Sequence, residues 1–423
     1  MLRLFLFCFA ALSVISMRNA IAADEEAPEK PAPQEAGKPA QPPPPVSSTN
    51  IQSPEVKAWQ GASVHPVAPA SDRHSIHAYF NMCPESPDGK YVLYFSSTDK
   101  KGEKGDICIL ERATGKETTL ASGIVTEDGH RVACQQWLDG GKKVVYHDFR
   151  EGKTVVVCVD VATGQSKDLV EERLLGFGAP NTVWAPVYGY HWKQGAHRDI
   201  EFVNVETGEI RTVVKLTDVL EKYGTEVRKL VGEGEVSLFF PVVSPDGNRI
   251  MFKVAKGWGK DEFRTPQAST RQGKFVYDVS KKEFLKAYAL WGHPAWTPDS
   301  NSIIEKGIVL EDVTKGTQKR YAVGSPSDHQ SMSPDGKLYV ADANISKREN
   351  GYPNEWGIIV GSLETNEFAT IYRFKHADGA SSWRPPHPHP NYSADGKRIY
   401  FNVSSDGWTR VYVAELPPTP PAK

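Results

Sequence analysis

A short sequence that recurs along the chain decides the fold, and its clearest copy is Ser86–Ser97, SPDGKYVLYFSS. A Ser-x-Asp-Gly turn is followed by a basic residue and an apolar stretch. Asp-Gly between apolar runs predicts a tight β-turn, because the turn needs a positive φ that glycine adopts without steric cost. The stretch after the turn is rich in aromatic and β-branched residues, so we expect a strand there.

The same turn signature returns at five other places, which begin at Trp137, Ser244, Thr297, Ser333 and Ser393. Several units end in a second hairpin signal, as in VDVATGQSKDL. The interval between the second and third copies is about twice the usual one, and a degenerate unit at 183–211 fills it. Seven units of roughly 40–60 residues predict an all-β fold, a seven-bladed β-propeller. An array of β-sandwiches is the alternative, which the near-uniform period disfavours.

One segment departs from this pattern. Residues 216–231, LTDVLEKYGTEVRKLV, place apolar side chains at helical spacing after a Thr-Asp start. The spacing predicts a helix inserted between the third and fourth blades, packed against the rim of the propeller.

The N-terminal region is not expected to belong to the propeller. Residues 1–22 combine one early arginine, an apolar run and a small-residue ending, which predicts a signal peptide and export to the periplasm or medium. An uncleaved anchor is the alternative, and after cleavage no stable membrane insertion is expected. Residues 23–52 are rich in proline and predict a disordered linker, which leaves 53–417 for the propeller. The four cysteines beyond the signal peptide could form disulfides or remain buried thiols.

Composition excludes some function classes. The 423 residues are 39% hydrophobic and 24% charged, with a formal net charge of −2. This balance gives no basic excess, so no nucleic-acid partner is expected. The chain contains no GxSxG, HExxH or P-loop sequence, and nothing in it indicates an oligomeric state.

Histidines occupy a shared position in the repeat. His293, His329 and His389 each lie four residues before the Ser or Thr of a turn signature, and His387 lies two residues before His389. Residues before the turn should form the innermost strand, and residues two apart on an extended chain face the same way. We therefore expect these imidazoles to converge at the channel mouth, where they would suit a divalent transition metal. The alternative is that they only form hydrogen bonds along a polar channel.

Three stretches carry a resemblance to a known family. HPHPNYSADGKRIYFNVSSDGWTRVYVAEL, from His387, is similar to the C-terminal blade of oligogalacturonate lyases, which are seven-bladed propeller enzymes. DHQSMSPDGKLYVAD, from Asp328, is similar to the preceding metal-ligand blade, and SIHAYFNMCPESPDGKYVLYF, from Ser75, resembles the first blade. The resemblance runs from about residue 70 to 415, and its Asp-Gly turns are shared with TolB-like and WD40-like propellers in general.

The resemblance implies a polysaccharide lyase that degrades pectin-derived uronate oligosaccharides by β-elimination with Mn²⁺. Carried over by position, the metal ligands are His329, His387 and His389. The family's fourth ligand, a glutamine three residues before the His-x-His pair, is Arg384 here. A guanidinium cannot ligate a metal as an amide oxygen does, so we expect either that Arg384 binds a substrate carboxylate directly or that water is the fourth metal ligand.

The resemblance also implies roles in catalysis and substrate binding. Arg271 and His293 are the implied catalytic residues, and Arg384 and His77 are the implied substrate contacts. The alternative from another functional class is a non-catalytic TolB-like propeller that binds proteins or glycans in the periplasm.

Overall fold

The structure, a computed structural model, describes residues 47–48, 50–69, 71–347 and 354–418. The expected signal peptide (1–22) and most of the expected linker (23–52) lie outside these residues. The described chain contains two α-helices, and the rest of its regular structure is almost entirely β-strand, which confirms the all-β class. Within these ranges, neither helix has the length and apolar character needed to cross a membrane.

The described chain begins with two elements that precede the first blade, α1 (Pro54–Gln60) and β1 (Ser63–Pro66). The first blade comprises β2 (His74–Ile76), β3 (Tyr91–Ser97), β4 (Lys104–Glu111) and β5 (Glu117–Val125). The second comprises β6 (Gln136–Leu138), β7 (Lys143–Arg150), β8 (Lys153–Asp160) and β9 (Ser166–Glu171). The third comprises β10 (Leu174–Leu175), β11 (Trp184–Tyr188), β12 (Ile200–Asn204) and β13 (Ile210–Val214).

A helix, α2 (Leu216–Val231), then leads into the remaining blades. The fourth blade comprises β14 (Ser237–Val243), β15 (Arg249–Gly257), β16 (Ser269–Asp278) and β17 (Glu283–Tyr288). The fifth comprises β18 (Ala295–Trp296), β19 (Ser302–Glu305), β20 (Val309–Asp312) and β21 (Gln318–Arg320). The sixth comprises β22 (His329–Met332), β23 (Leu338–Asn344), β24 (Glu355–Ser362) and β25 (Phe368–Lys375), and the seventh begins with β26 (Asn391–Tyr392), β27 (Arg398–Ser405) and β28 (Trp408–Glu415).

The sheet pairing confirms the seven-bladed propeller. Five blades are separate four-stranded sheets, and the first and last blades are joined in one eight-stranded sheet. The join is a single parallel pair between Ser75 of β2 and Arg410 of β28. The degenerate unit expected at 183–211 is β11 to β13 of the third blade.

Side-chain hydrogen bonds explain why the turn signature recurs. The Ser333 hydroxyl donates to Asp335 Oδ1 over 2.6 Å and accepts the Leu338 backbone N–H over 2.9 Å. Gly336 completes the turn with a φ of +72°, a value that glycine adopts without strain. Five of the six copies have this hydroxyl-to-carboxylate bond, and the copy at Trp137, which lacks the hydroxyl, turns through a short 3₁₀ segment at Asp139–Gly141.

The helix α2 has the bounds that its apolar spacing predicts. It lies between the third and fourth blades, and Val219, Val227 and Val231 pack against a cluster that includes Phe252 and Phe275 of the fourth blade. The expected packing against the rim is confirmed.

The ring is closed by the N-terminal segment, a role that its sequence does not predict. β1 pairs antiparallel with β28, from Ser63 opposite Glu415 to Pro66 opposite Tyr412, and so supplies the fourth strand of the seventh blade. Contact with the propeller starts before residue 53, because the Ser48 backbone N–H donates to the Phe368 carbonyl over 2.8 Å. Both ends of the fold therefore meet in one blade.

The thiols are not paired. All four described cysteines, Cys83, Cys108, Cys134 and Cys158, are free. Of the two possibilities that the sequence left open, the structure has unpaired thiols, three of them buried.

We expect Trp59 of α1 to be needed for this closure. Its side chain is 2% exposed and meets the Tyr392 ring edge-on with the centroids 5.7 Å apart. Trp59→Ala should cost about 3–5 kcal/mol and lower the urea midpoint of unfolding, because a buried indole is removed. Trp258→Ala is the matched control; that side chain is 45% exposed, and its loss should cost below ~1 kcal/mol. An unchanged midpoint for Trp59→Ala would show that α1 can detach without opening the ring.

Candidate metal centre and active site

Four histidines meet on one face of the propeller. His130, His329, His387 and His389 each offer a ring nitrogen, and these nitrogens all lie within 4.8 Å of one another. We call these residues the four-histidine group. His130 lies in the connection from β5 to β6, and the other three lie in or next to connections that enter innermost strands, so all four stand at the same face. The expected convergence of His329, His387 and His389 is present, and His130 was missed.

A left-handed backbone aims the side chains inward. His389 has a φ of +51° and His293 a φ of +48°. Phe240, at the same offset before its turn signature, has a φ of +59°. The imidazoles of His387 and His389 do meet, as expected, but alternation along an extended chain is not the reason, because His389 is not extended. A kink of this kind interrupts the strand and re-aims one side chain, as a β-bulge does.

A buried carboxylate orients two members of the group. His329 Nδ1 donates to both Asp342 oxygens, over 3.0 and 3.1 Å, which leaves Nε2 as its unprotonated nitrogen. The backbone N–H of His389 donates to Asp342 Oδ2 over 2.9 Å. Carboxylates that accept from a ligating histidine fix its tautomer and its orientation. Asp342 can therefore fix the His329 ring and the His389 backbone at once.

The remaining members are held through backbone carbonyls. His130 Nδ1 donates to the Pro385 carbonyl over 3.0 Å, so its Nε2 is the nitrogen left without a proton. His77 Nε2 donates to the His389 carbonyl over 2.9 Å, and Asn402 Nδ2 donates to the His387 carbonyl over 3.1 Å. His77 is buried, so the structure places this expected substrate contact behind the ligand segment, where it anchors the backbone.

The four-histidine group has the chemistry of a metal site. Both ring nitrogens of His389 and Nδ1 of His387 are buried without a hydrogen-bond partner among the described residues. Burial lowers the pKa of His387 to about 3 and that of His329 to about 4, because a charged imidazolium is disfavoured away from water. At neutral pH the imidazoles are therefore uncharged and offer lone pairs, as a divalent transition metal requires.

Arg384 forms an ion pair with a carboxylate of the protein. Its Nη1 donates to Asp128 Oδ2 over 3.2 Å, and the Asp128 carboxylate is buried. This ion pair links the connection that carries His387 and His389 to the connection that carries His130. One nitrogen of the guanidinium is thus engaged by a protein carboxylate, and the expected contact of Arg384 with a substrate carboxylate stays a prediction.

The implied catalytic residues lie on two sides of this region. His293 stands beside the four-histidine group, with its ring centroid 4.7 Å from that of His329. Arg271 is buried on β16 and lies near Glu127, the neighbour of Asp128. Burial would raise the pKa of Glu127, but the interaction with His191 and the positive charges of Arg131 and Arg271 hold it well below the usual value.

A buried network continues from Glu127. Its Oε1 accepts from His191 Nε2 over 2.9 Å, and its Oε2 accepts from Arg131 Nη2 over 3.1 Å. His191 Nδ1 lies 2.7 Å from the Ser269 hydroxyl oxygen. The connection 126–135 thus contributes to both the histidine side and the arginine side of the site, which sequence reasoning did not reveal because this connection carries no repeat signature.

Comparison with known proteins supports the resemblance seen in the sequence. No protein-family model matches the chain. An oligogalacturonide lyase from Pectobacterium atrosepticum is 24% identical over 147 residues, which are 30% of this chain and 37% of that protein. The chain therefore matches little more than a third of the length of this relative.

Solved structures show the same fold over most of the chain. An oligogalacturonate lyase in complex with manganese has a TM-score of 0.59 at 17% identity, covering 85% of this chain and 94% of that one. An oligogalacturonate lyase from Vibrio parahaemolyticus also has a TM-score of 0.59 at 17% identity, covering 84% and 94%. The Cps50 (Swd1) β-propeller domain from Myceliophteria thermophila has a TM-score of 0.50 at 8% identity, covering 84% and 100%. The chain thus resembles oligogalacturonate lyases in part of its sequence and throughout its propeller fold.

We expect Asp342→Asn to weaken metal binding. The amide cannot accept at both oxygens, so the His329 ring and the His389 backbone lose a shared anchor. Loss of such a partner typically costs 10–100-fold in affinity. Titration calorimetry with divalent ions measures the change, and Asp148→Asn, another buried carboxylate with a backbone N–H and an arginine as partners, is the control. Equal affinities for the two variants and the wild type would show that Asp342 does not orient the ligands.

Proposed function

We propose that the protein is an exported lyase of the oligogalacturonate-lyase type, which cleaves uronate oligosaccharides by β-elimination at the four-histidine group. The single observation that carries the proposal is this group of imidazoles, three buried and one, His387, half-buried. It stands at the place where the sequence resembles the metal-ligand blades of that family. Export is part of the proposal and rests on the sequence alone, because residues 1–22 lie outside the described chain.

The chemistry of β-elimination defines what the site must do. The C5–H bond of the uronate breaks, its electron pair forms the C4–C5 double bond, and the C4–O glycosidic bond breaks as its oxygen takes up a proton. A divalent ion, when bound by the four-histidine group, supplies Lewis-acid stabilisation of the negative charge that develops at the carboxylate. Every other requirement falls to side chains of this chain.

Arg271 and His293 are the residues that we assign to the proton transfers. An imidazole accepts or donates a proton readily near neutral pH, and His293 stands next to the ligand His329. Arg271 is a permanent cation that can stabilise the carboxylate, and it can accept the C5 proton only if it first loses its own. Glu127 supports Arg271 by supplying a nearby negative charge.

A non-catalytic propeller that binds glycans or proteins is the second candidate. The observation that favours it is the Arg384–Asp128 ion pair, because the family's fourth-ligand position is occupied by a residue that faces a protein carboxylate. This candidate requires that the protein bind its partner without bond cleavage.

Turnover of a short oligogalacturonide tests the proposal. The wild type with added divalent ion should generate the ultraviolet absorbance of a 4,5-unsaturated uronate, and a chelator should abolish it. His387→Ala should remove activity with any metal, and Arg271→Lys should lower kcat by about 10²–10⁴-fold if Arg271 transfers the proton. If Arg271→Lys keeps a near-normal kcat, His293 is instead the base that removes the C5 proton.

The control for these variants is His65→Ala, an exposed histidine of β1 that is far from the group in sequence. It should turn over substrate at the wild-type rate. An inactive wild type, whichever divalent ion is supplied, would reject the lyase and favour the non-catalytic propeller.

A further inference from the structure

We infer that His130 is the fourth metal ligand, and that the resulting all-imidazole site selects Co²⁺, Ni²⁺ or Zn²⁺ more strongly over Mn²⁺ than a site with an oxygen ligand would. The inference rests on the proposed function in treating the same histidines as a metal centre, but its test does not use the reaction. His130 would then supply the fourth ligand that a glutamine supplies in the family, whose position in this chain is occupied by Arg384.

Four successive residues fix the position of His130. Residues 382–385 contact residues 127–130, and we call this paired segment the clasp. Its contacts are Gly129 N–H to Ser382 Oγ (2.9 Å), Trp383 Nε1–H to the Glu127 carbonyl (3.0 Å), Arg384 Nη1 to Asp128 Oδ2 (3.2 Å) and His130 Nδ1 to the Pro385 carbonyl (3.0 Å). Each residue of one segment has a partner in the other, so the position of the imidazole is set by several independent contacts.

The clasp depends on a close approach at Gly129. A Cβ at this position would lie 3.1 Å from Ser382 Cβ and 3.4 Å from Pro386 Cδ. A larger residue would push the connection away from the clasp. Asp128 adds a second constraint, because its Oδ1 accepts the Arg131 backbone N–H over 2.9 Å and closes the turn around His130.

The clasp places His130 next to two other ligands, His387 and His389, which follow residues 382–385 in the sequence. His387 and His389 come directly after the clasp residues, so the same segment carries two ligands and positions a third from a different blade. The His130 ring centroid lies 4.8 Å from that of His387 and 4.6 Å from that of His389. Arg384 is therefore a positioning residue for His130 and is itself no ligand.

Ligand chemistry then determines the preferred ion. Imidazole nitrogens suit Zn²⁺, Cu²⁺, Fe²⁺ and Ni²⁺, whereas carbonyl and carboxylate oxygens suit Mn²⁺. The group contains four histidines and no carboxylate, and the Asp342 oxygens are engaged by His329 and the His389 backbone. A site with any of these ligands binds Zn²⁺ more tightly than Mn²⁺, as the Irving–Williams order requires. The informative quantity is therefore how much the ratio of the Mn²⁺ and Zn²⁺ dissociation constants changes when one imidazole is replaced by an amide.

The test counts imidazole ligands and compares affinities. X-ray absorption spectra of the Zn²⁺-loaded and Co²⁺-loaded wild type should show four imidazoles, and those of His130→Gln should show three. Titration calorimetry should give a ratio of Mn²⁺ to Zn²⁺ dissociation constants that is smaller in His130→Gln than in the wild type. His147→Gln, a buried histidine outside the group, is the matched control and should leave both readouts unchanged.

Arg384→Met tests the clasp without altering a ligand. Removing the charge should release the connection and reduce the imidazole count or the affinity, whereas a residue with only a structural role would change thermal stability alone. Three or fewer imidazoles in the wild type, no bound metal, or an unchanged ratio in His130→Gln would each overturn the inference. A lower imidazole count or an unchanged ratio leaves the proposed lyase intact, because turnover needs only a bound ion. The absence of any bound metal would also remove the Lewis acid of the proposed function, and turnover measured with and without added ion distinguishes the two failures.

Discussion

The ion pair between Arg384 and Asp128 is the interaction on which the candidate site depends. The two side chains are 12% and 1% exposed, so both charges are largely removed from water. Breaking a buried pair typically costs about 3–5 kcal/mol, because the remaining charge is left without compensation. This pair joins the connection before the second blade to the connection before the seventh, across the mouth of the channel. The two connections must therefore stay together, and with them the ligands that each one carries.

The blades could be predicted from the sequence because their chemistry is local. In five of the six turn signatures a hydroxyl, a carboxylate and a positive-φ residue lie within a few positions of one another, so the sequence alone specifies the hairpin. The helix α2 is equally local in its apolar spacing. The closing strand β1 is different, because Ser63 pairs with Glu415 at the other end of the chain. The four residues of β1 contain no turn signature, so their sequence does not predict a partner strand this far away.

The residues of the candidate site also differ in whether the local sequence predicts them. His329 and His389 share an offset in the repeat, which is a local property, and so they could be predicted to meet. His130 lies in a connection that has no such offset, and its role arises only because residues 382–385 pair with it. The ion pair of Arg384 could not be predicted, because its partner Asp128 is distant in the sequence. The orientation of His77 towards the His389 backbone is likewise a tertiary property.

A left-handed position shared by the fourth, fifth and seventh blades carries both polar and apolar side chains. Phe240, His293 and His389 have the same left-handed backbone, so the fold supplies an inward-facing position and the side chain sets its chemistry. Where it is phenylalanine, an aromatic cluster forms, in which the Tyr79 ring stacks on Phe177 and meets Phe240 edge-on. The same Tyr79 ring lies 4.6 Å from that of His389. The aromatic half thus keeps water from the imidazoles, and this desolvation lowers their pKa values and leaves them uncharged. Because the imidazoles stay uncharged at neutral pH, the apolar side chains beside them favour the form that can hold a cation.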